Sequence, residues 1–396
     1  MTHPLIITNL QARRLLLDRQ GLSDSPTPKL TTDGLLALIK SLGFVQVDSI
    51  NTVARAHHMI LFARNQTYRP KQLTQLLETD RRLFEHWTHD AAVIPTEFYP
   101  YWRHRFQREQ VSRLDRLRKR GGAGFEDVLS KILDNVARHG PTMTRDISSK
   151  RANKGAGWWD WQPEKTALEY HWRTGSLAIA GRAGFQKIYD TTENVIPLPH
   201  RTGQVGEAEF IDWACRAALS RLGAATSGEI AAFWDLVTPK EAAAWTRKNL
   251  TDGNLVDVLV AAAGDRGPSK AVGFSSLEND LGRLPEPPKR LRILSPFDPT
   301  IRDRKRCARL FGFDYRIEVF VPKEKRQYGY YVFPILEGHR LIGRIDMKRH
   351  EDTLNVTGLW WEPGIKLGKA RQAALDAELD RHRRFVAART VEFRLE

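Results

Sequence analysis

Residues 125–189 constrain the fold more than any other stretch. Phe125 to Arg138 carries apolar residues at helical spacing and is closed by Gly140-Pro141, a combination that stops a helix. Thr142 to Ile147 reads as a short helical piece. Pro163 to Thr174 reads as a third helix with proline at its first position, where a missing N–H costs nothing. The run from Leu177 to Tyr189 then reads as two strands around a Gly181-Arg182-Ala183-Gly184 turn. Three helices closed by a basic hairpin make a winged helix. Its third helix, with Lys165 and Arg173, would enter the major groove, and its wing, with Arg182 and Lys187, would touch backbone phosphates. The same arrangement can also serve protein contacts, because fold alone does not fix function. Trp158, Trp159 and Trp161 crowd the preceding turn and read as core rather than as a stacking platform.

The theme recurs downstream. Glu207 to Leu222, Ser227 to Asp235 and Pro239 to Asn249 read as helices, and Leu255 to Ala262 begins a strand. The repetition is of architecture, at a spacing of about 80 residues, not of sequence. From Pro285, Pro287 and Pro288 the character changes. Leu291–Leu294, Tyr315–Val321, Tyr328–Leu336, His339–Met347 and Thr353–Trp361 read as strands of a small antiparallel sheet or barrel, with Lys369 to Ala388 as a closing helix. Upstream, residues 9–20 form an amphipathic helix with Asn9 as N-cap, and 22–31 a Ser/Pro/Thr linker. Thr32 to Leu42 is a second helix, Phe84 to Ile94 a strand-like run, and 96–120 a helix rich in arginine and aromatics. The expected class is α+β, with tandem winged-helix domains before a C-terminal β-domain. The expected divisions are 1–122, 123–203, 204–270 and 285–396.

Charge narrows the partners. The 396 residues hold 62 Lys+Arg against 47 Asp+Glu, a net charge of +15, which favours a polyanion. Arg103–Arg120 and Lys289–Arg309 each carry eight basic and two acidic residues, so the charge is expected to form a surface; the second segment supplies Arg302, Arg304, Lys305 and Arg306 as candidate DNA contacts. Cys215 and Cys307 form no CxxC pair, which argues against a disulfide framework or cysteine-bound zinc and fits a reducing cytosol. No apolar run approaches the ~20 residues of a membrane helix, and the first nine residues lack a signal-peptide layout.

One short stretch carries the chemistry. In Ser41-Leu42-Gly43-Phe44-Val45-Gln46-Val47-Asp48-Ser49-Ile50-Asn51, a helix runs into Gly43 as C-cap, and Phe44 to Ile50 reads as a strand. Val45 and Val47 would face one way and Gln46 and Asp48 the other. An amide beside a carboxylate can hold a water, the carboxylate taking its proton and the amide fixing its orientation. The structural alternative makes Asp48 or Ser49 the N-cap of a helix starting near Asn51. Other chemistries lack their motifs. The twelve histidines, His57, His58, His86 and His89 among them, show no HExxH or Cys/His ligand spacing, so no metal is expected. Gly121-Gly122-Ala123-Gly124 lacks the lysine of a phosphate-binding loop, no Gly-x-Ser-x-Gly elbow is present, and no cofactor is expected.

Gln46-Val47-Asp48 followed by Ser49-Ile50-Asn51-Thr52-Val53-Ala54-Arg55 resembles the Gln–apolar–Asp motif of bacterial winged-helix DNA glycosylases of the AlkZ/YcaQ kind. Asp at the third motif position is similar to the YcaQ-like branch, where the AlkZ-like branch has Gln. The resemblance continues through His86-Trp87-Thr88-His89-Asp90-Ala91-Ala92, Gly181 to Lys187, Ser295-Pro296-Phe297-Asp298 and Arg309 to Tyr315, in order over nearly the whole chain. It implies tandem winged helices in a C shape, a DNA-facing concave surface, excision of N7-alkylated purines and unhooking of interstrand crosslinks. With it come Asp48 and Gln46 as catalytic residues, Arg55 as a DNA contact, double-stranded DNA as partner, a monomer and a bacterial cytoplasmic (nucleoid) location.

That chemistry is coherent with the residues. An N7-alkylated purine is cationic and leaves neutral, so the enzyme mainly stabilises an oxocarbenium-like sugar and aims a water. The motif stretch contains no lysine, so a Schiff-base lyase step lacks a local nucleophile and a monofunctional enzyme is expected. Two rivals are a winged-helix transcription regulator and a non-enzymatic damage sensor. The regulator explains the charge and the wing, but not a water-holding Gln/Asp pair.

Overall fold

The computed structural model describes residues 3–121, 124–147 and 162–395; the Trp158, Trp159 and Trp161 cluster lies outside them. The chain divides into two compact units assembled from separated segments. One comprises Met1–Pro70, Cys215–Phe233 and Thr238–Glu396, the other Lys71–Ala214 and Trp234–Val237.

The first unit begins with a helix, Asn9–Arg19, capped one residue earlier than expected. Thr8 accepts from the Gln11 N–H, and the Gln11 side chain accepts from the Thr8 N–H, so both halves of a capping box are present. Asn9 is freed for long-range use. Its Nδ2 donates to the carbonyls of Ala261 and Leu310 at 3.2 and 2.9 Å. Just before it, Leu5–Ile7 pairs in parallel with Leu255–Val260, which pairs antiparallel with Ser269–Phe274. The second helix spans Thr32–Leu42, buries Leu35, Leu36, Ile39 and Leu42, and ends at Gly43 with φ of 90°, a backbone state that glycine adopts without strain.

The C-terminal part of this unit is a curled five-stranded sheet, open rather than closed into a barrel. Its order is Leu291–Ile293, Val332–Glu337, Arg340–His350, Thr353–Trp361 and Thr390–Phe393, the last pair parallel and the rest antiparallel. Register shifts at Ile335/Leu336 and Asp346/Met347 increase the local twist. The Lys369–Phe385 helix packs Leu375 and Leu379 into its core beside Phe333, Ile345 and Val356. Tyr315–Val321, read as a strand, is irregular instead. Its alternation is genuine, but its polar groups are used otherwise: Tyr315 Oη donates to the Val332 carbonyl, and the Glu318 carboxylate accepts the N–H groups of Gln327, Tyr328 and Gly329.

In the second unit the strand-like run 84–94 is a hairpin, Leu83–Trp87 against Ala91–Pro95. Tyr99–Gly121 and Phe125–His139 are helices, the latter ending at Gly140 with φ of 80°. Thr142–Met143 is a strand, so the piece read as helical begins extended; Thr144–Ile147 and Pro163–Arg173 are helical. Leu177–Ala183 and Gln186–Thr191 form a hairpin, and the sheet order places Gln186–Thr191 between it and Thr142–Met143. The turn falls at Gly184 and Phe185, with φ of 54° and 71°, later than the Gly181–Gly184 expected. A two-residue hairpin loop of this hand needs positive φ at both central positions. Phe185 tolerates it because Arg182 holds it: the guanidinium lies 4.3 Å over its ring, and Nη1 donates to its carbonyl at 2.6 Å.

Candidate active site

Gln46 sits in a two-residue strand, Val45–Gln46, between buried Val45 and Val47, and is itself only 3 % exposed. The strand stops there because of Asp48. Its Oδ1 accepts the Ile50 N–H at 2.7 Å, an Asx turn that takes the backbone out of the extended state. Gln46 and Asp48 are therefore not alternate residues of one continuous strand. The capping alternative is also excluded, since the next helix begins at Ala56, with Arg55 at its N-cap position and no side-chain cap bond. Asp48 is half-buried, held by its own turn and still open to solvent on one side.

The loop after Asp48 is set by the C-terminal sheet. Val53 and Met59 are buried in the same apolar cluster as Tyr331 and Phe333, with Ile50 and Ala54 packed against it. The Thr52 carbonyl accepts the Arg349 N–H at 2.7 Å. Tyr331, fully buried, has its phenol pushed up by burial; the Ser295 hydroxyl opposes this and the Asp48 charge adds to it. The far end of the Ala56–Arg64 helix is clamped as well. Arg64 and Asp298, both fully buried, form a two-pronged pair at 2.6 and 3.0 Å, and Arg64 also donates to the carbonyls of Gln20 and Ile60. Ser295 and Asp298 thus support the motif loop from a segment far downstream.

Beside the loop, Asn51, Val53, Ala54, Arg55 and His58 line a groove of about 330 Å³ together with Arg349 and Phe385. Arg55 is half-buried there. His58 Nδ1 lies 2.8 Å from the buried Tyr68 hydroxyl, and burial followed by the nearby Arg55 charge pushes the imidazole down to about 4. His86 is buried against the Trp172 carbonyl and pushed down to about 3, chiefly by burial. Among the described residues no group of three or more His, Cys, Asp or Glu is placed to hold a metal ion. Cys215 and Cys307 are both buried, and burial pushes the Cys307 thiol up to about 12.

The other candidate contacts fall into two sets. Lys165 and Lys305 are exposed. Arg182 is paired with the buried Glu85. Lys187 bonds Glu169 at 2.9 Å with its ammonium 3.7 Å over the Trp172 ring. Arg173 lies 3.6 Å over Trp87, within reach of Glu169 and Glu109, and burial pushes it down to about 10. Arg302 donates to the Phe233 carbonyl, and Arg304 to those of Ile301 and Pro296. Arg306 is buried on the carbonyls of Leu222 and Ala224 and on Glu229. The structure therefore places Gln46 at the end of a short strand and Asp48 and Arg55 in the segment after it, while most of the dense arginines serve as internal donors. Tyr331, Thr52 and Arg349 were missed as supports, because only tertiary packing brings them to the motif.

A mixed α+β chain with a curled C-terminal sheet supporting a Gln/Asp loop defines a class of fold with solved relatives. It is similar throughout to the Streptomyces sahachiroi DNA glycosylase AlkZ, with a TM-score of 0.64 at 15% identity over 99% of this chain and 100% of that one. A family model described as DNA glycosylase AlkZ-like matches residues 39–385. The chain belongs to the AlkZ-like DNA glycosylase family. DNA is the substrate that membership implies, and no helix among the described residues is long and apolar enough to cross a membrane.

Proposed function

We propose that the protein is a monofunctional glycosylase of base excision repair that hydrolyses the N-glycosidic bond of N7-alkylated purines and unhooks N7-linked interstrand crosslinks. Asp48 and Gln46 are its catalytic pair, in the Gln–apolar–Asp form of the YcaQ-like branch. The observation that carries this reading is a half-exposed carboxylate, fixed by the Ile50 N–H, two residues after a buried amide. Asp48 stabilises the sugar cation by charge and accepts the proton of the attacking water; Gln46 orients that water. A carboxylate held by its own turn needs no reorganisation as charge develops. The leaving base is already cationic, so no strong acid is required beside the motif.

The helix–strand–helix–helix–hairpin order at 125–191 supports a winged helix there, and the 207–274 segment supports another; the division into parts at 1–122, 123–203, 204–270 and 285–396 follows that reading. Lys165 and Lys305, being exposed, and Arg55, beside the motif, are the favoured DNA contacts. Arg173, Arg182, Lys187, Arg302, Arg304 and Arg306 contribute by shaping the surface. The protein acts as a monomer on double-stranded DNA in the cytoplasm, without metal or nucleotide cofactor.

The test is a gel assay on three duplexes, carrying N7-methylguanine, an N7–N7 guanine crosslink or uracil. Uracil is a poorer leaving group that needs a donor-lined pocket. We expect cleavage at the first, unhooking of the second and negligible release from the third. Uracil release with an inert crosslink would overturn the substrate class. Tight binding with no base released from any duplex would favour a regulator or sensor.

A further inference from the structure

The groove beside the Asp48 loop lies wholly within the first unit. Asn51, Arg55, His58 and Arg349 supply its polar lining, Val53 and Phe385 are among its apolar residues, and no carboxylate lines it. The larger cleft of about 610 Å³, by contrast, has Asp18 and Asp24 among its arginines. His58 is the donor in the groove whose direction is fixed. Its Nδ1 lies 2.8 Å from the Tyr68 hydroxyl, which has no other hydrogen-bond partner among the described residues. Tyr68 is fully buried, and burial pushes its phenol up, so it keeps its proton. A buried hydroxyl with one neighbour has to donate to it. Nδ1 is therefore the acceptor, and the neutral ring carries its own proton on Nε2. The His57 and Tyr68 rings hold the imidazole from centroid distances of 4.2 and 6.1 Å. Nε2 makes no hydrogen bond among the described residues, and the half-buried ring lines the groove. Arg349 is exposed, its backbone N–H bonds the Thr52 carbonyl, and its Nε donates to the Glu351 carbonyl at 2.9 Å.

We propose that His58 is a positioning residue for the DNA strand: its Nε2–H donates to a backbone phosphate beside the damaged nucleotide, with Arg55 and Arg349 supplying the positive charge. Phosphate oxygens only accept hydrogen bonds, which suits a lining of donors without carboxylates. Contacts to phosphate carry no sequence information but fix register and orientation. A neutral N–H of fixed direction adds what a long arginine does not, a single depth for the backbone. Asn51, in the loop just after Asp48, lines the same groove, so a phosphate seated there sets where the adjoining sugar meets Asp48. The inference rests on the glycosylase reading for the identity of the strand, while the contact itself is tested by binding.

The test uses the full-length protein and duplexes containing N7-methylguanine in which one phosphate at a time is replaced by an uncharged methylphosphonate. Binding and single-turnover base release are measured on each. In wild type, one replacement beside the lesion should weaken binding and slow release about 10- to 100-fold, the scale of one hydrogen bond to a charged group. His58→Ala should show a similar loss on the unmodified backbone and only a small further loss at that phosphate, while replacements elsewhere act as in wild type. His58→Gln, which places an amide N–H near the position of Nε2, should restore the sensitivity. Tyr68→Phe keeps the ring packing and removes only the hydroxyl that fixes the tautomer, so it should lose part of the sensitivity and serves where His58→Ala does not fold. Sensitivity equal to wild type at every phosphate, in His58→Ala or in Tyr68→Phe standing in for it, would overturn the contact, whatever the rate of release. Binding that depends on one phosphate through His58, in a protein that releases no base, would uphold the contact and refute the glycosylase reading alone.

Discussion

Asp48 stands where the chain stops being a strand, and the hydrogen bond to Ile50 that ends the strand also aims the carboxylate. Its surroundings depend on two buried ionisable groups. Arg64→Met would leave Asp298 charged and unpaired in a fully buried site, which should cost about 3–5 kcal/mol and lower the melting temperature; thermal unfolding within error of wild type would contradict that role. His58 gives a pH signature. Its folded value near 4 lies below the ~6.5 of an unfolded chain, so the fold prefers the neutral ring. As pH falls from about 6.5 toward 4, the unfolded state takes the proton first, and stability should drop by up to about 3 kcal/mol. Urea unfolding from pH 7.5 to 4.5 should show this decline, and His58→Gln should make it shallower. Identical slopes would show that His58 carries no part of it.

At the scale of elements, the hairpin at 177–191 separates two uses of positive charge. Arg182→Ala would strand the buried Glu85 and should destabilise the protein by about 3–5 kcal/mol. Lys165→Glu, on the exposed face of the Pro163–Arg173 helix, should weaken duplex binding without moving the melting temperature. Reversed outcomes in filter binding and thermal unfolding would exchange their roles. The sequence shows both residues as basic in a basic segment and nothing more. Which one turns inward is decided by Glu85, nearly a hundred positions away, so no local pattern carries it. Local signals did better where local physics decides: the Thr32–Leu42 helix and its Gly43 end follow from periodicity and glycine's freedom. Tyr315–Val321 misleads for the converse reason, because its alternation is satisfied by a loop built on Glu318 rather than by a ladder.

For the whole molecule, the dense basic runs are largely consumed inside. Arg103 and Arg108 donate to the carbonyls of Gly203 and Leu236, and Arg292 to those of Ala63 and Asp24. The net charge of +15 still predicts duplex affinity that falls steeply with salt, as counterion release requires; equal affinity at 50 and 200 mM salt, both about the range where such binding collapses, would contradict it. The chain's assembly from separated segments was not legible either. Asn9 has the makings of a cap, yet it joins Ala261 and Leu310, a choice made only when distant segments meet. Gln46 and Asp48 stand out in one dimension, because an amide and a carboxylate interrupt an apolar run. The packing of Tyr331, Ser295 and the Arg349 strand around their loop does not.

The central claim is that Asp48 is the charged group that drives base release. Asp48→Asn keeps an oxygen able to accept the Ile50 N–H, and so keeps the turn, while removing the charge and the proton acceptor. Single-turnover release of N7-methylguanine from a duplex, with binding measured in parallel, is the most direct measurement. The account predicts a fall of at least the ~10²-fold typical of losing a general base, with duplex affinity unchanged; Asp48→Asn releasing the base at the wild-type rate would contradict it.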